Sequence, residues 1–204
     1  MSKAKPEWSE GVSLEALWQE LGTRASVRQR RLHACGCFRF EQKEALIPED
    51  VVWIDLAERF ADGLITEEEL IPAHTTPPQS GDASLALLSN PELNRSWDRC
   101  IVNVPEDDDF EIDHAAPRIV ARLRILEDIV GPPEPQFSLK WRTSTATALA
   151  QQMYESRDFG AMPILADALQ DAGCTSDAIL NHCRDPHATH VRGCWVVDLV
   201  LGKS

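Results

Sequence analysis

Residues 163–184, PILADALQDAGCTSDAILNHCR, carry the pattern of two short helices joined by a tight turn. A helix that begins at Pro163 is stopped by Gly173, because glycine readily takes the left-handed conformation in which many helices end. A second, capped helix follows from Ser176 to Arg184. The stretch therefore predicts a helical hairpin, although a single hairpin does not make a solenoid.

Helical periodicity continues on both sides of this hairpin. Near the start of the chain, Ser13 caps a short amphipathic helix that Gly22 ends. Thr66 and Glu69 form a capping box for another short helix. Further helices are predicted over residues 26–40, 48–63, 116–130, 144–156 and 190–201. We therefore expect an all-α protein, an irregular helical bundle of about eight to ten helices with an acidic loop insertion.

The middle of the chain interrupts the helical pattern. The run TTPPQSGD over residues 75–82 cannot continue a helix, because proline and glycine disfavour helical backbone. Two short helices, over 83–88 and 91–99, and an isolated strand over 100–104 are predicted beyond it. The sequence thus predicts three segments: an N-terminal helical layer over residues 1–72, an acidic loop-rich connector over 73–116, and a C-terminal helical layer over 117–204. One compact domain overall is the alternative.

Length and composition exclude several classes of protein. The 204-residue chain is 43% hydrophobic and 26% charged, which is ordinary for a globular protein and unlike a disordered chain or a small disulfide scaffold. No stretch approaches the roughly 20 apolar residues that span a bilayer, and no apolar signal region follows the first residues. We expect a cytoplasmic protein whose six cysteines stay reduced.

The formal charge of −13 is concentrated in the middle of the chain. Residues 1–50 carry eight acidic and eight basic side chains, residues 51–116 carry fifteen and three, and residues 117–204 carry ten and nine. This excess of acid argues against direct binding to nucleic acid or to anionic membranes. A strongly acidic segment between two near-neutral ends instead predicts a boundary or an interaction surface.

The densest part of this segment is an acidic run. Its members are Glu106, Asp107, Asp108, Asp109, Glu111 and Asp113. Because so many like charges repel each other on a compact surface, the run is typical of an exposed loop. A solvated loop and a specific docking or cation site are both consistent with it.

Ligand-type residues are concentrated near the C-terminus, within 21 residues. They are Cys174, His182, Cys183, His187, His190 and Cys194. In a reducing compartment this pattern suggests zinc, with Cys174, His182, His190 and Cys194 as the candidate ligands, although the spacing matches no standard zinc finger. On the predicted last helix His190 and Cys194 share a face, and Asp198 extends it. The alternative is that the cysteines are small buried hydrophobes and the histidines tie the last two helices together.

Two features near the N-terminus have plainer interpretations. Cys35 and Cys37 would point to different sides of the predicted helix, and burial explains them better than a shared metal. Arg28, Arg30 and Arg31 form a small basic patch without interleaved aromatic residues. We expect this patch to pair with the acidic middle or with a partner rather than with nucleic acid.

The C-terminal half contains a distinctive series of motifs. They are LADAL at 165–169, AGC at 172–174, IL-x-HCR at 179–184 and HVRGCWVVD at 190–198. The series resembles an uncharacterised bacterial family that occurs as many paralogues, for which no activity is established. Phe38 stands where that family tends to have a cysteine, and His187 where glycine and proline are usual. The resemblance implies as candidate site residues, structural first and functional second, His182, Arg184, His190, Arg192, Cys194 and Asp198.

No template for catalysis is present: the chain has no glycine-rich phosphate loop, no His-Glu-x-x-His and no Gly-x-Ser-x-Gly. The first hypothesis is therefore a non-catalytic interaction or regulatory subunit without a cofactor, whose acidic middle docks on a basic surface of a partner protein. The alternative is a small zinc-binding protein, possibly a hydrolase. A third hypothesis is mimicry of nucleic acid by the acidic segment.

Overall fold

A computed structural model describes residues 14–41, 47–70, 90 and 117–203. Within these residues the secondary structure is helical and contains no strand, which confirms the predicted all-α class. The predicted helices at 83–88 and 91–99, the strand at 100–104 and the acidic run lie outside the described residues. The division of the chain at residues 72 and 116 also falls there and stays a prediction.

The described helices follow the predicted pattern, but Gly22 does not end the first one, which continues to Arg24. They are α1 (Leu14–Arg24), α2 (Val27–Glu41), α3 (Pro48–Ala61), α4 (Pro117–Val130), α5 (Ser144–Ser156), α6 (Met162–Asp171), α7 (Asp177–Arg184) and α8 (Trp195–Leu201), with a 3-10 turn at Leu139–Trp141. The predicted capping box is present, because the Thr66 N–H donates to Glu69 Oε2 and the Glu69 N–H donates to Thr66 Oγ1. None of these helices combines the length and apolar character needed to cross a bilayer.

Helix α4 connects two groups of helices. It packs against α1 and α2 on one side and against α8 on the other, while α2 also packs against α3. The hairpin of α6 and α7 packs beside α5 and α8 and encloses the larger apolar core, which includes Ala150, Leu165 and Val196. A smaller core lies between α2 and α4. The helices of both ends of the sequence therefore meet along α4.

The prediction for the last helix is wrong at its start. The pattern indicated a helix from about His190, but α8 begins at Trp195 and Cys194 is its N-cap residue. Gly193 has a φ of 96°, which a continuous helix does not allow. His190 and Cys194 therefore do not share a helix face, and Asp198 does not extend one.

The two ends of the sequence are joined by ion pairs around Asp62, a fully buried side chain just after α3. Asp62 Oδ1 accepts hydrogen bonds from Arg28 and from the Tyr154 hydroxyl, and Oδ2 accepts one from Arg192 Nη2 at 2.6 Å. Arg28 also binds Asp198 at 2.6 Å. Burial opposes ionisation of Asp62, but the bonds from Tyr154 and Arg192 and the charge of Arg28 hold its pKa below the usual value.

This arrangement assigns partners to residues that the sequence singled out. Arg28 of the basic patch pairs with Asp62, which belongs to the acidic segment 51–116, and with Asp198. Cys35 and Cys37 are buried, as predicted. At least part of the excess negative charge of the middle segment is thus used inside the fold.

We predict that Asp62→Asn lowers the free energy of unfolding by about 3–5 kcal/mol, because it leaves Arg28 and Arg192 without their shared counter-charge. Chemical denaturation at neutral pH measures the change. The control is Asp167→Asn, because Asp167 pairs with Arg184 while 71% exposed, and it should cost less than about 0.5 kcal/mol.

The same pair of proteins gives a pH test. Since the pKa of Asp62 is lower in the folded protein, its contribution is present above the unfolded pKa of about 3.9 and is lost as the pH falls through the folded value. The difference between wild type and Asp62→Asn should therefore narrow below about pH 4. A difference in unfolding free energy that stays constant below about pH 4 would show that the pKa of Asp62 is not lowered in the folded protein.

Candidate metal centre

Four side chains from four separate elements converge on one point. Asp128 lies near the end of α4, His182 in the last turn of α7, His190 in the loop before α8, and Cys194 at the N-cap of α8. One ligand atom from each lies within 4.8 Å of each of the other three. Asp128 and Cys194 are buried, and the two histidines are partly buried.

The distances between these atoms suit a tetrahedral ion. His190 Nδ1 lies 2.8 Å and His182 Nε2 lies 3.1 Å from Asp128 Oδ1, while Cys194 Sγ lies 3.3 Å from His182 Nε2 and 3.9 Å from His190 Nδ1. Zinc bonds of about 2.0–2.3 Å in a tetrahedron separate neighbouring ligand atoms by about 3.3–3.8 Å. Shifts of a few tenths of an ångström would bring these four pairs into that range.

The ring nitrogens through which His182 and His190 contact Asp128 and Cys194 distinguish a metal site from a catalytic triad. In a nucleophilic triad the imidazole binds the carboxylate through one nitrogen and the nucleophile through the other. Here each histidine presents the same nitrogen to Asp128 and to Cys194. Without their protons, these two nitrogens would direct their lone pairs toward a common centre, as metal ligands do.

Electrostatics at the site also disfavour a nucleophilic cysteine. Burial and the negative charge of Asp128 raise the pKa of the Cys194 thiol well above its usual value, although the backbone N–H groups of Val196 and Val197 oppose the shift. Cys194 is thus a thiol unless a cation compensates for its charge. Burial opposes ionisation of Asp128, but hydrogen bonds from His182 and His190 hold its pKa below the usual value.

Neighbouring groups hold the ligands in position. The Val191 N–H donates to Asp128 Oδ2 at 2.9 Å and so leaves Oδ1 for the centre. The His182 ring lies 5.1 Å from the Trp195 ring, and the His190 ring lies 6.3 Å from that of Phe159. His190 Nε2 is buried without a hydrogen-bond partner in the described part of the chain, so packing rather than a hydrogen bond at this nitrogen orients the ring. Contacts that orient a ligand are typical around metal ions in proteins.

The structure brings together three of the four predicted zinc ligands, namely His182, His190 and Cys194. The fourth, Cys174, is buried but is not a member of the group. Of the other candidate residues, Arg184 pairs with Asp167 near the surface, Arg192 binds Asp62, and Asp198 binds Arg28. The acidic residues predicted to dock on a partner, 106–109, 111 and 113, lie outside the described residues.

Asp128 is the ligand that sequence reasoning missed. It lies 62 positions before His190 in the chain, so no local spacing connects the two. The available signal was a pair of acidic residues, Glu127 and Asp128, between the apolar positions Leu126 and Ile129 of α4. A buried acid of this kind needs hydrogen-bond or metal partners, but the sequence alone does not identify them.

Glycine positions the loop that carries His190 and Cys194. Gly193 has a φ of 96°, and a Cβ there would lie 2.8 Å from Leu32 Cδ1 in α2. Gly173 has a similar φ of 89°, but a Cβ there would meet nothing within 4 Å. A side chain at Gly173 would therefore meet only the strain of a positive φ, whereas one at Gly193 would meet that strain and a clash with Leu32.

We predict that Gly173→Ala costs about 1–2 kcal/mol of unfolding free energy from backbone strain. Gly193→Ala should cost a further 1–3 kcal/mol, roughly, because Leu32 must also move. Equilibrium denaturation of both variants measures the difference. Equal losses would show that the contact with Leu32 does not constrain the loop.

Comparisons with protein-family models, with curated proteins and with solved structures gave no match. The geometry of the site is therefore the basis for any proposal about function.

Proposed function

We propose that this protein binds one zinc ion through Asp128, His182, His190 and Cys194, and that the ion is structural. The observation that carries the proposal is the convergence of four ligand atoms within 4.8 Å of one another. Two imidazoles, a thiol and a carboxylate are all established zinc ligands.

The choice of zinc follows from the donor atoms. Sulfur and nitrogen donors in a tetrahedral arrangement favour zinc over magnesium or calcium, which prefer oxygen ligands and higher coordination numbers. Binding also resolves the protonation of Cys194, because a zinc ion stabilises the thiolate that burial disfavours. The proposal includes a reducing, cytoplasmic location, in which the cysteine stays available as a ligand.

A structural role is favoured over hydrolysis. Structural zinc sites have four protein ligands, whereas catalytic sites keep one position open for water. Four side chains are already in place here, and Cys194 is 0% exposed. An ion at this point would join α4, α7, the loop and α8, which are separated by up to 66 positions between Asp128 and Cys194. Its binding energy would therefore stabilise the contact between α4 and the C-terminal helices.

Docking of the acidic run on a basic partner remains a separate prediction. The residues on which it depends lie outside the described part, and the zinc proposal neither needs nor excludes it. Variants of the zinc ligands leave the acidic run unchanged, so the two ideas are tested independently.

We predict that untagged protein contains about one zinc ion per chain after gentle purification. His182→Asn and Cys194→Ser should reduce this to below about 0.2, because each removes one ligand. Elemental analysis by mass spectrometry gives the stoichiometry. Cys183→Ala is the matched control, since Cys183 is a buried neighbour outside the group, and it should keep the metal.

Cobalt substitution tests the coordination itself. Co²⁺ at this site should give the visible absorption of a tetrahedral ion and a near-ultraviolet thiolate-to-cobalt band, since it takes the same ligands as zinc. Cys194→Ser should lose the thiolate band and Cys183→Ala should keep it. Less than about 0.2 zinc in the wild type, together with no such spectrum after cobalt addition, would contradict the proposal.

We predict that a strong chelator lowers the melting temperature by about 5–15 °C, because loss of a bound ion removes a few kcal/mol from a chain of this size. Differential scanning calorimetry with chelator, and then with added zinc, measures the loss and its recovery. The control is His182→Asn, whose melting temperature should not respond to either reagent. A wild type that is equally insensitive would rule out a structural ion.

A further inference from the structure

A cavity of about 230 Å³ opens between α2, α3 and the loop before α8, and His190 is one of its lining residues. Its wall combines charged and apolar side chains. The charged ones are Arg39, Glu58, Arg157 and Arg192, and the apolar ones include Leu32, Phe40, Phe159 and Val191. A concave wall in which apolar side chains stand beside converging polar groups is typical of small-molecule sites.

The charged side of the cavity is built around Glu58, which is 1% exposed. Arg39 Nε and Arg157 Nε each donate to it at 2.9 Å, and both arginines also bind Asp55. Arg192 belongs to the wall as well, but its hydrogen bonds go to Asp62. The wall thus carries three guanidinium groups and one carboxylate, while Asp55 and Asp62, which do not line the cavity, supply the other two counter-charges.

Hydrogen-bond donors remain available on this wall. Within the described residues, Nη1 of Arg39 donates no hydrogen bond, and Nη1 of Arg192 lies 3.7 Å from Glu58, which is too far for one. Thr189 contributes a hydroxyl group to the same wall. Guanidinium groups match the oxygens of carboxylates and phosphates, so an anion would satisfy these donors.

We propose that this cavity binds a small organic anion, with its carboxylate or phosphate group at Arg39, Arg192 and Thr189 and its apolar part against Phe40 and Phe159. The volume lies below the roughly 300–1,000 Å³ of pockets for drug-sized ligands, which favours a molecule with one small ring or a short chain. The site does not depend on zinc. The two share only His190, which lines the cavity.

Isothermal titration calorimetry with phenyl phosphate, benzoate and benzylamine tests the charge requirement. Each probe carries one ring, and only the first two are anions. We expect at least one anion to bind about tenfold or more tightly than benzylamine and to weaken as salt is raised. The tighter of the two anions identifies the headgroup.

Substitutions at Thr189 test the location, because this side chain lies outside the ion-pair network. Thr189→Glu should weaken binding of the preferred anion about tenfold or more, since it adds a negative charge to the wall. Thr189→Gln is the neutral control of similar size and should change binding by less than the Glu variant. Arg39→Gln should also weaken binding, and circular dichroism melting verifies that each variant is folded.

Benzylamine binding as tightly as both anions would overturn the proposal, and so would an affinity that Thr189→Glu and Arg39→Gln both leave unchanged. The metal proposal is separated by repeating the titration on chelator-treated protein and on His182→Asn, whose altered side chain does not line the cavity. Anion binding within about twofold of the wild type is expected there. A wild type that contains zinc but binds neither anion would overturn the cavity proposal alone, and a wild type that binds an anion but contains no zinc would overturn the metal proposal alone.

Discussion

Carboxylates that leave water must find positive charge or hydrogen-bond donors, because an uncompensated buried charge costs several kcal/mol. Three such groups organise the described structure. Asp62 and Glu58 are surrounded by arginines, and Asp128 is surrounded by two histidines and a backbone N–H. Each draws its partners from elements that are distant in sequence, so the compensation of these charges determines how the helices are joined.

The three carboxylates have different surroundings and therefore different chemistry. Around Asp62 the donors are arginines, which stay charged at any physiological pH, and the Tyr154 hydroxyl. The result is an ion pair whose protonation does not change. Around Asp128 the partners can lose protons, and Cys194 adds a third ligand atom, so that a cation can replace the protons. Glu58 borders a cavity in which, within the described residues, one guanidinium nitrogen of Arg39 and one of Arg192 make no hydrogen bond. The need to compensate a buried carboxylate thus gives an ion-pair contact between the helices at Asp62, a candidate metal centre at Asp128 and a candidate anion site beside Glu58.

Features that depend on local chemistry are predictable from this sequence. The helices around Gly173 and the capping box at Thr66 were predicted to within a few residues, since caps and glycine stops act over a few positions. The start of α8 was missed because the apolar pattern continues through a glycine whose φ of 96° ends any helix. His182, His190 and Cys194 are predictable from the concentration of ligand-type residues near the C-terminus, whereas Asp128 joins them only through the packing of α4, which no local pattern describes.

The ion pair between Arg28 and Asp198 joins positions 170 residues apart. At elongation rates of about 5–20 residues per second, roughly 10–30 s pass between the synthesis of these two residues on a ribosome. During that interval Arg28 lacks its acceptor Asp198 on α8, and Asp62 lacks Arg192, the second arginine that binds it. We expect the N-terminal helices to remain incompletely packed until α8 has emerged, so the two groups of helices complete their packing together rather than one after the other.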